Sequence, residues 1–397
     1  MSSFSIEHRV PAVVVGDLNL ARCLGIKKVP VIAVSSFRFV PYSRYCKKGI
    51  FVPAQNDDRL FEALAEIGSR EHEKPILFYL TNDDLCLISR RRGELSKYYR
   101  FLMPDENLVE DLTNKQRFNC LAEIKGLPAP KTIVFRRIEE LERHLDDLPF
   151  PCIAKPAEHG SFEQVVNRAY GRVEKGVYLE DWNVLRRFCL AFKKEEEQDL
   201  LLQEYIPGGA DAIFSFHGFF DEASRPLAYF VGRKIRTYPS AAGYSSCLTL
   251  VRDPDVIQVG LHILSGLKFK GPAKVDFKKD PRTGKLFILE INPRFNLWHY
   301  LGSMSGINIP YLAYQYLCGG KVEPLETYRT DKVWISFSRD CKAFIEQRRL
   351  GNLSLFSWLK SYGPGRVHDV FSWRDPLPWV VSILGTIRRW IRVGVAG

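Results

Sequence analysis

The stretch Ala273-Lys274-Val275-Asp276-Phe277-Lys278-Lys279-Asp280-Pro281-Arg282-Thr283-Gly284-Lys285-Leu286-Phe287-Ile288-Leu289-Glu290-Ile291-Asn292-Pro293-Arg294 decides how this chain is read. Two apolar runs, 273–278 and 286–291, flank the turn-forming cluster Asp280-Pro281-Arg282-Thr283-Gly284, which predicts an antiparallel hairpin. Side chains two apart on a strand share a face, so Glu290 and Asn292 point the same way, with Asp276 available from the partner strand. Carboxylates inside apolar strands are costly unless paired or bound to a cation, and two carboxylates with an amide suit a hard divalent ion such as Mg²⁺. Arg294 follows within reach and suits a transferring phosphoryl group. An edge strand with solvated acids is the plainer alternative, but ionisable groups in apolar strands usually have a partner.

Working outward, further antiparallel strands are expected at 200–202, 211–219 and 226–232. Leu200 to Gly208 is an apolar strand ending in a proline–glycine break, whose backbone groups suit a purine edge. Asp211 lies just beyond, placed to accept ribose hydroxyls. Upstream, Glu110–Lys125 reads as one helix stopped by Gly126-Leu127-Pro128, with Lys115 near its start. Strands are expected at 133–135 and 152–154 around a helix at 138–145. Lys155 ends the second of these strands, where a lysine can reach phosphates; taken singly, Lys115 and Lys155 also read as surface lysines. Residues 193–198 form a charged run expected to be a solvated face. Nearer the N-terminus, the short runs 12–15, 29–34 and 75–80 alternate with helical patterns at 17–25 and 59–66, the signature of a parallel α/β sheet. No Gly-x-Gly-x-x-Gly follows the first strand, which speaks against a dinucleotide fold.

The 397 residues suit two or three domains of about 150 residues each. Apolar residues at 46% and charged residues at 26% exclude wholesale disorder. A formal charge of +11 favours nucleotide phosphates, nucleic acid or an acidic membrane without choosing among them. No basic motif is interleaved with aromatics, so nucleic acid is not expected as a partner. Nine cysteines at wide spacing, with no Cys-x-x-Cys, read as reduced thiols of a cytoplasmic protein. Cys247 and His299 can be drawn as a nucleophile pair, but neither sits in a recognisable signature. Met1–Arg9 has no signal-peptide core, and no run is long enough to span a bilayer.

The ordered set Asn114-Lys115, Ala154-Lys155-Pro156, Gln203-Glu204-Tyr205-Ile206-Pro207-Gly208, Val275-Asp276-Phe277 and Glu290-Ile291-Asn292-Pro293-Arg294 resembles the ATP-grasp superfamily. Within it the chain looks most like carboxylate–amine ligases of the D-aspartate ligase and carbamoyl-phosphate-synthase-like branch, over residues 10–320. The resemblance implies an α/β and α+β architecture: a parallel α/β pre-ATP-grasp domain at 1–110, an ATP-grasp domain at 111–320 whose two lobes clamp ATP, and an extension at 321–397. Carried over by motif, Lys115 and Lys155 hold ATP phosphates, Glu204 and Ile206 read adenine through backbone groups, and Asp211 binds ribose. Asp276, Glu290 and Asn292 ligate Mg²⁺, for which Mn²⁺ can substitute, and Arg294 steadies an acyl phosphate. Glu158-His159-Gly160-Ser161-Phe162 matches the phosphate-covering loop, with Ser161 as its ligand. Arg233, Lys234 and Arg236 are expected among substrate-binding cations, and Phe295–His299 to face the acceptor pocket. The implied activity is ATP-dependent amide formation from small-molecule carboxylate and amine substrates, with ADP and phosphate released. The rival class is a non-catalytic nucleotide-binding or membrane-surface module; degenerate relatives lose metal ligands, whereas here all three are present.

The final segment has its own pattern. After Asp375-Pro376, residues Trp379, Val380, Ile383, Leu384, Ile387, Trp390 and Ile391 recur at helical spacing, with Ser382, Thr386, Arg389 and Arg392 off the stripe and Arg388 close by. Two readings stand. The stripe packs on the ligase body, as amphipathic helices usually do, or it makes peripheral contact with the inner surface of an acidic membrane.

Overall fold

A computed structural model describes residues 10–135, 140, 150–156, 166, 176–192, 199–240 and 243–395. Among these residues three sheets form. The first is parallel, in the order β3-β2-β1-β4, from β1 (Ala12–Val15), β2 (Val31–Ser35), β3 (Cys46–Phe51) and β4 (Ile76–Tyr79). β1, β2 and β4 are buried on both faces, as a sheet covered by helices requires. Asp17 caps the helix Leu18–Gly25 through the amides of Asn19 and Leu20, and Thr81 with Asp84 forms a capping box on the helix Asn82–Arg90. β3 was not expected, because Cys46-Lys47-Lys48-Gly49 has neither alternation nor a β-branched run.

The second sheet is small and antiparallel, in the order β5-β8-β6-β7, from β5 (Thr132–Phe135), β6 (Cys152–Pro156), β7 (Val177–Leu179) and β8 (Leu200–Glu204). Helix Trp182–Phe192 accompanies it, with Leu185, Phe188 and Cys189 in the core that also holds Cys152, Ala154 and Leu202. The expected helix 138–145 and the charged run 193–198 fall outside the described residues, apart from Glu140, which is helical. The single helix expected over 110–125 is in fact two. Asn114 takes an extended backbone between Glu106–Thr113 and Lys115–Ile124, and its side chain accepts the Arg117 amide as the second helix's N-cap.

The third sheet has seven strands in the order β13-β12-β9-β10-β11-β14-β15. They are β9 (Ile213–Phe220), β10 (Pro226–Tyr238), β11 (Tyr244–Val251), β12 (Gly271–Lys279), β13 (Leu286–Asn292), β14 (Lys332–Ile335) and β15 (Gly365–His368). All neighbours pair antiparallel except β14 and β15. The residues after 320, which carry no readable motif, therefore extend the main sheet. One face packs on helix Pro254–Gly266 through Phe214, Phe216, Val275, Phe277 and Ile291. On the other face, Phe219, Phe230, Leu248 and Trp334 share a core with Val14, Leu24 and Phe78 of the first sheet and its helices. That shared core fixes the N-terminal sheet against the main one.

Candidate active site

The β12–β13 register sets Asp276 directly opposite Glu290 and Lys274 opposite Asn292, while β9 adds Ser215 opposite Asp276 and His217 opposite Lys274. Partners in an antiparallel ladder share a face. Two rows result: Ser215–Asp276–Glu290, and beside it His217–Lys274–Asn292. A bulge after Asp276 absorbs Leu289 and keeps the acid row aligned. Alternate residues Val275, Phe277 and Ile291 lie in the core of the opposite face, which is why the polar set is presented on one side only.

Asp276 is buried, and both of its oxygens are engaged. Ser215 Oγ donates to Oδ1 at 2.5 Å, and Lys274 Nζ donates to Oδ2 at 2.6 Å. The same ammonium reaches Glu290 Oε1 at 3.4 Å. Burial pushes the Asp276 carboxyl up, but the charges of Lys274 and Lys234 and the hydrogen bond from Lys274 hold it well below the ordinary range. Asn292 is buried; its Oδ1 accepts from Arg294 Nη2 at 3.3 Å, and its Nδ2 has no partner.

Arg294 is held from the N-terminal sheet. Its Nε donates to Asn82 Oδ1 at 2.5 Å, and its Nη1 donates to Leu80 O at 2.8 Å and Phe295 O at 3.3 Å. The guanidinium is therefore clamped at the end of β4 beside Asn292. Neighbouring Phe295, Trp298 and His299 are not a pocket wall as expected. They are buried, with Phe295 packed 5.0 Å from Phe78 and His299 edge-on to Phe230. Aromatic packing between the sheets claims these rings. His217 stacks on Phe230 at 4.5 Å, and Asn296 Nδ2 lies 3.0 Å from its Nδ1. The Trp298 amide donates to Asn296 Oδ1, so the Asn296 amide nitrogen is the group that donates to His217, leaving the ring hydrogen on Nε2, which is buried and unpartnered.

The small sheet supplies the cations. Lys155 Nζ donates to Gln203 Oε1 at 2.7 Å, and Lys115 Nζ donates to Pro156 O at 2.5 Å. Burial, and then the charges of Lys115 and Lys278 outweighing that of Glu290, bring the Lys155 ammonium down to about 8. Lys115, Lys155, Lys278 and Glu290 thus share one electrostatic neighbourhood. Beyond Glu204, Tyr205 lies edge-on to Tyr178 at 4.9 Å, with Lys278 Nζ 5.3 Å from its ring centre, and Ile206 is buried. Gly208 has φ +106°, and a Cβ there would come within 2.7 Å of Ala212. Only glycine makes that bend, which carries the chain to Asp211 at the foot of β9. Asp211 favours the charged form of Lys278. Ser161 and the loop 158–162 lie outside the described residues.

Of the three cations expected in the substrate site, Arg236 is elsewhere: it is buried in an ion pair with Asp340, Nη2 to Oδ2 at 2.8 Å. Lys234 acts on Asp276, and Arg233 Nε is buried without a partner. Cys247 is buried beside Ile335 and Trp358, in a core apart from that of His299, and burial pushes its thiol up to about 12. It is inert at neutral pH. Sequence reasoning missed Lys274 and Ser215. The spacing Lys274-x-Asp276 on a strand is the signal that could have found the lysine.

Among the described residues no cluster of three or more His, Cys, Asp and Glu could hold a metal. A cation here rests instead on two carboxylates and one amide oxygen. The residues fit such an ion: an ammonium already bridges the two acids, and the Asn292 amide oxygen, now accepting from Arg294, is the third oxygen on the same face.

No family model matches the chain. It is 26% identical over 373 residues to a D-aspartate ligase of Enterococcus faecium, covering 88% of this chain and 87% of the relative. It is 27% identical over 202 residues to the C-terminal section of the carbamoyl phosphate synthase large chain of Methanopyrus kandleri, covering 49% of this chain and 35% of the relative. Among solved structures, an N5-carboxyaminoimidazole ribonucleotide synthetase in complex with ADP superposes with a TM-score of 0.61 at 13% identity, covering 86% of each chain. An L-amino acid ligase of Bacillus licheniformis gives 0.59 at 14% identity, over 81% of this chain and 78% of that one.

Proposed function

We propose that this chain is an ATP-dependent carboxylate–amine ligase of the ATP-grasp superfamily, forming a carbon–nitrogen bond through an acyl phosphate. One observation carries the proposal. Lys155 of the small sheet shares an electrostatic neighbourhood with Lys115, at the start of its helix, and with Glu290 of the main sheet. A lone carboxylate substrate does not require so many half-buried ammoniums; a polyphosphate does.

In this proposal Lys115 and Lys155 bind the phosphates, the Glu204–Ile206 backbone reads the purine, Asp211 takes the ribose, and Ser161 covers the phosphates. Asp276, Glu290 and Asn292 hold Mg²⁺. When bound, such an ion neutralises phosphate charge and favours in-line transfer. A substrate carboxylate oxygen attacks the γ-phosphorus and ADP leaves. An amine nitrogen then attacks the acyl carbon, phosphate departs, and the nitrogen loses a proton. Arg294, fixed by Asn82, Leu80 and Phe295, faces this chemistry in one orientation and steadies the acyl phosphate. The domain division 1–110, 111–320 and 321–397 belongs to the same proposal, with the third part built into the main sheet. The test is phosphate release from ATP across pairs of carboxylates and amines, with D-aspartate first on the strength of the relative's name. ADP with phosphate supports the acyl phosphate; AMP with pyrophosphate overturns it.

The second part of the proposal concerns where the enzyme sits. No described helix is long and apolar enough to cross a membrane. Helix Leu377–Val395 nevertheless leaves five residues of its stripe uncovered: Trp379, Val380, Ile383, Leu384 and Ile387 are exposed, while the side chains of Trp390 and Ile391 lie outside the described residues. The helix contains no acidic residue and carries Arg388, Arg389 and Arg392. We propose that an anionic lipid surface covers it.

A further inference from the structure

Lys274 is the cation of the site to which no expectation gave a role. It lies two residues before Asp276 on the same face of β12, with its side chain 12% exposed, against 6% for Asp276 and 53% for Glu290. Its ammonium sits where a bridging cation would sit, 2.6 Å from one acid and 3.4 Å from the other. Ser215 already donates to Oδ1 of Asp276, and an ion bridging Asp276 and Glu290 competes with Lys274 for Oδ2.

We infer that Lys274 is an internal counter-ion that a divalent cation displaces, so that the nucleotide-free protein binds metal weakly. The inference rests on the assignment of Asp276, Glu290 and Asn292 as the metal site. An ammonium and a divalent ion compete for the oxygens of Asp276 and Glu290, and on the buried Asp276 side their repulsion is weakly screened. Without either, the buried Asp276 carboxylate would lose its ion pair and keep the Ser215 hydrogen bond and the charge of Lys234, so the lysine stabilises the empty site. Once displaced, the ammonium finds only donors in its own row, Asn292 Nδ2 and His217 Nε2, both buried and unpartnered. Three donors side by side attract an anionic oxygen. Loading of the metal and of an anionic substrate group is thereby coupled, and Lys274 is a positioning residue for that group.

The experiment titrates Mn²⁺ into the full-length, nucleotide-free protein and reads the free ion by electron paramagnetic resonance. Lys274→Met is expected to bind Mn²⁺ at least about tenfold more tightly than wild type, since a neighbouring positive charge has been removed. Lys274→Arg keeps the charge and is expected to stay weak. Adding Glu290→Gln to Lys274→Met should abolish the gain. If Lys274→Met matches wild type while Glu290→Gln still weakens binding, the counter-ion inference fails and the metal site stands. If Glu290→Gln changes nothing in either background, the metal site itself is wrong. Should Lys274→Met not fold, wild-type protein gives the answer by amine acetylation and mass spectrometry. Lys274 labelling should rise severalfold on Mn²⁺ saturation while Lys279, paired with Asp253 and Asp255, stays constant. Unchanged labelling of Lys274 overturns the inference.

Discussion

Arg236 and Asp340, 104 residues apart, form a bidentate ion pair, Nε to Oδ1 at 3.0 Å and Nη2 to Oδ2 at 2.8 Å, with both residues buried. Asp340 also accepts from Ser246 Oγ at 2.7 Å, and from Trp358 Nε1 and Tyr362 Oη, each at 2.8 Å. This carboxylate joins β10 and β11 to the helices after residue 330, so that segment is part of the fold. Asp340→Ala should destabilise the protein by about 3–5 kcal/mol, because Arg236 is left buried and unpaired. Urea unfolding measures it, and a loss under about 1 kcal/mol contradicts it. Burial pushes this carboxyl up, but the hydrogen bonds and charge of Arg236 carry it below its ordinary 3.8. Its contribution is therefore complete above that value and lost as pH falls through the lower folded pKa. Wild type should lose stability below about pH 4 more steeply than Asp340→Asn.

Lys155 offers a sharper test of where the phosphates lie. Burial and the charges of Lys115 and Lys278 lower its ammonium from 10.5 to about 8. In the free protein the cost of that charge is fully present below pH 8 and relieved between 8 and 10.5, so Lys155 by itself favours folding more at high pH. A polyphosphate favours the charged form and raises the pKa. Nucleotide binding should therefore take up a fraction of a proton at about pH 8 and almost none at about pH 6. Calorimetry in buffers of different ionisation heat counts the protons. Lys155→Ala should abolish the uptake and weaken ADP binding at least about tenfold, roughly 1.4 kcal/mol. Lys279→Ala, outside the site, should do neither.

Glu290 is the exposed member of the acid row, so its substitution threatens the fold least. Glu290→Gln should leave the urea midpoint within about 0.5 kcal/mol of wild type and remove metal-dependent ADP formation by about a hundredfold or more. Wild-type turnover in that variant would refute its role as a ligand.

The hairpin was legible because a strand has a period of two and Asp280–Gly284 is an unambiguous turn. Those two facts put Glu290 and Asn292 on one face, and the observed register sets Asp276 against Glu290. Lys115 and Lys155 were legible as phosphate candidates only through the family pattern, since each alone reads as a surface lysine. Ser215 stayed hidden because it meets Asp276 from a strand 61 residues away, which no local pattern encodes. Arg236 was misplaced for the same reason: its partner Asp340 lies in a stretch with no motif. The strand Tyr244–Val251 was missed because Ser245-Ser246-Cys247 breaks the apolar run. Ser246 is needed there, since it closes the Asp340 network.

The C-terminal helix is anchored at its root and exposes Trp379, Val380, Ile383, Leu384 and Ile387 beyond it. Asp375 is buried against Arg22, Nε to Oδ2 at 3.0 Å, and also accepts from Ser43 Oγ at 2.7 Å and the Arg44 amide at 2.9 Å. This fixes where the helix leaves the N-terminal sheet. Beyond it, the apolar side chains from Trp379 to Ile387 meet solvent, and Trp373 beside the root is 87% exposed. A stripe that buried itself on the body would not leave all five of these residues open. Its arginines and lack of acids match an acidic headgroup layer, while a stretch of 19 residues with three arginines is too polar to span. Full-length protein should sediment with vesicles containing phosphatidylglycerol and much less with neutral ones, the difference fading as salt rises. Deleting residues 377–397 retains the Asp375 anchor, so the truncated protein should keep its ATP-dependent activity and unfolding midpoint while losing vesicle binding. Trp379→Glu with Ile383→Glu should do the same in the full chain. If the full-length protein ignores anionic vesicles but is a dimer that the deletion makes monomeric, the stripe is a contact between copies and the membrane proposal falls.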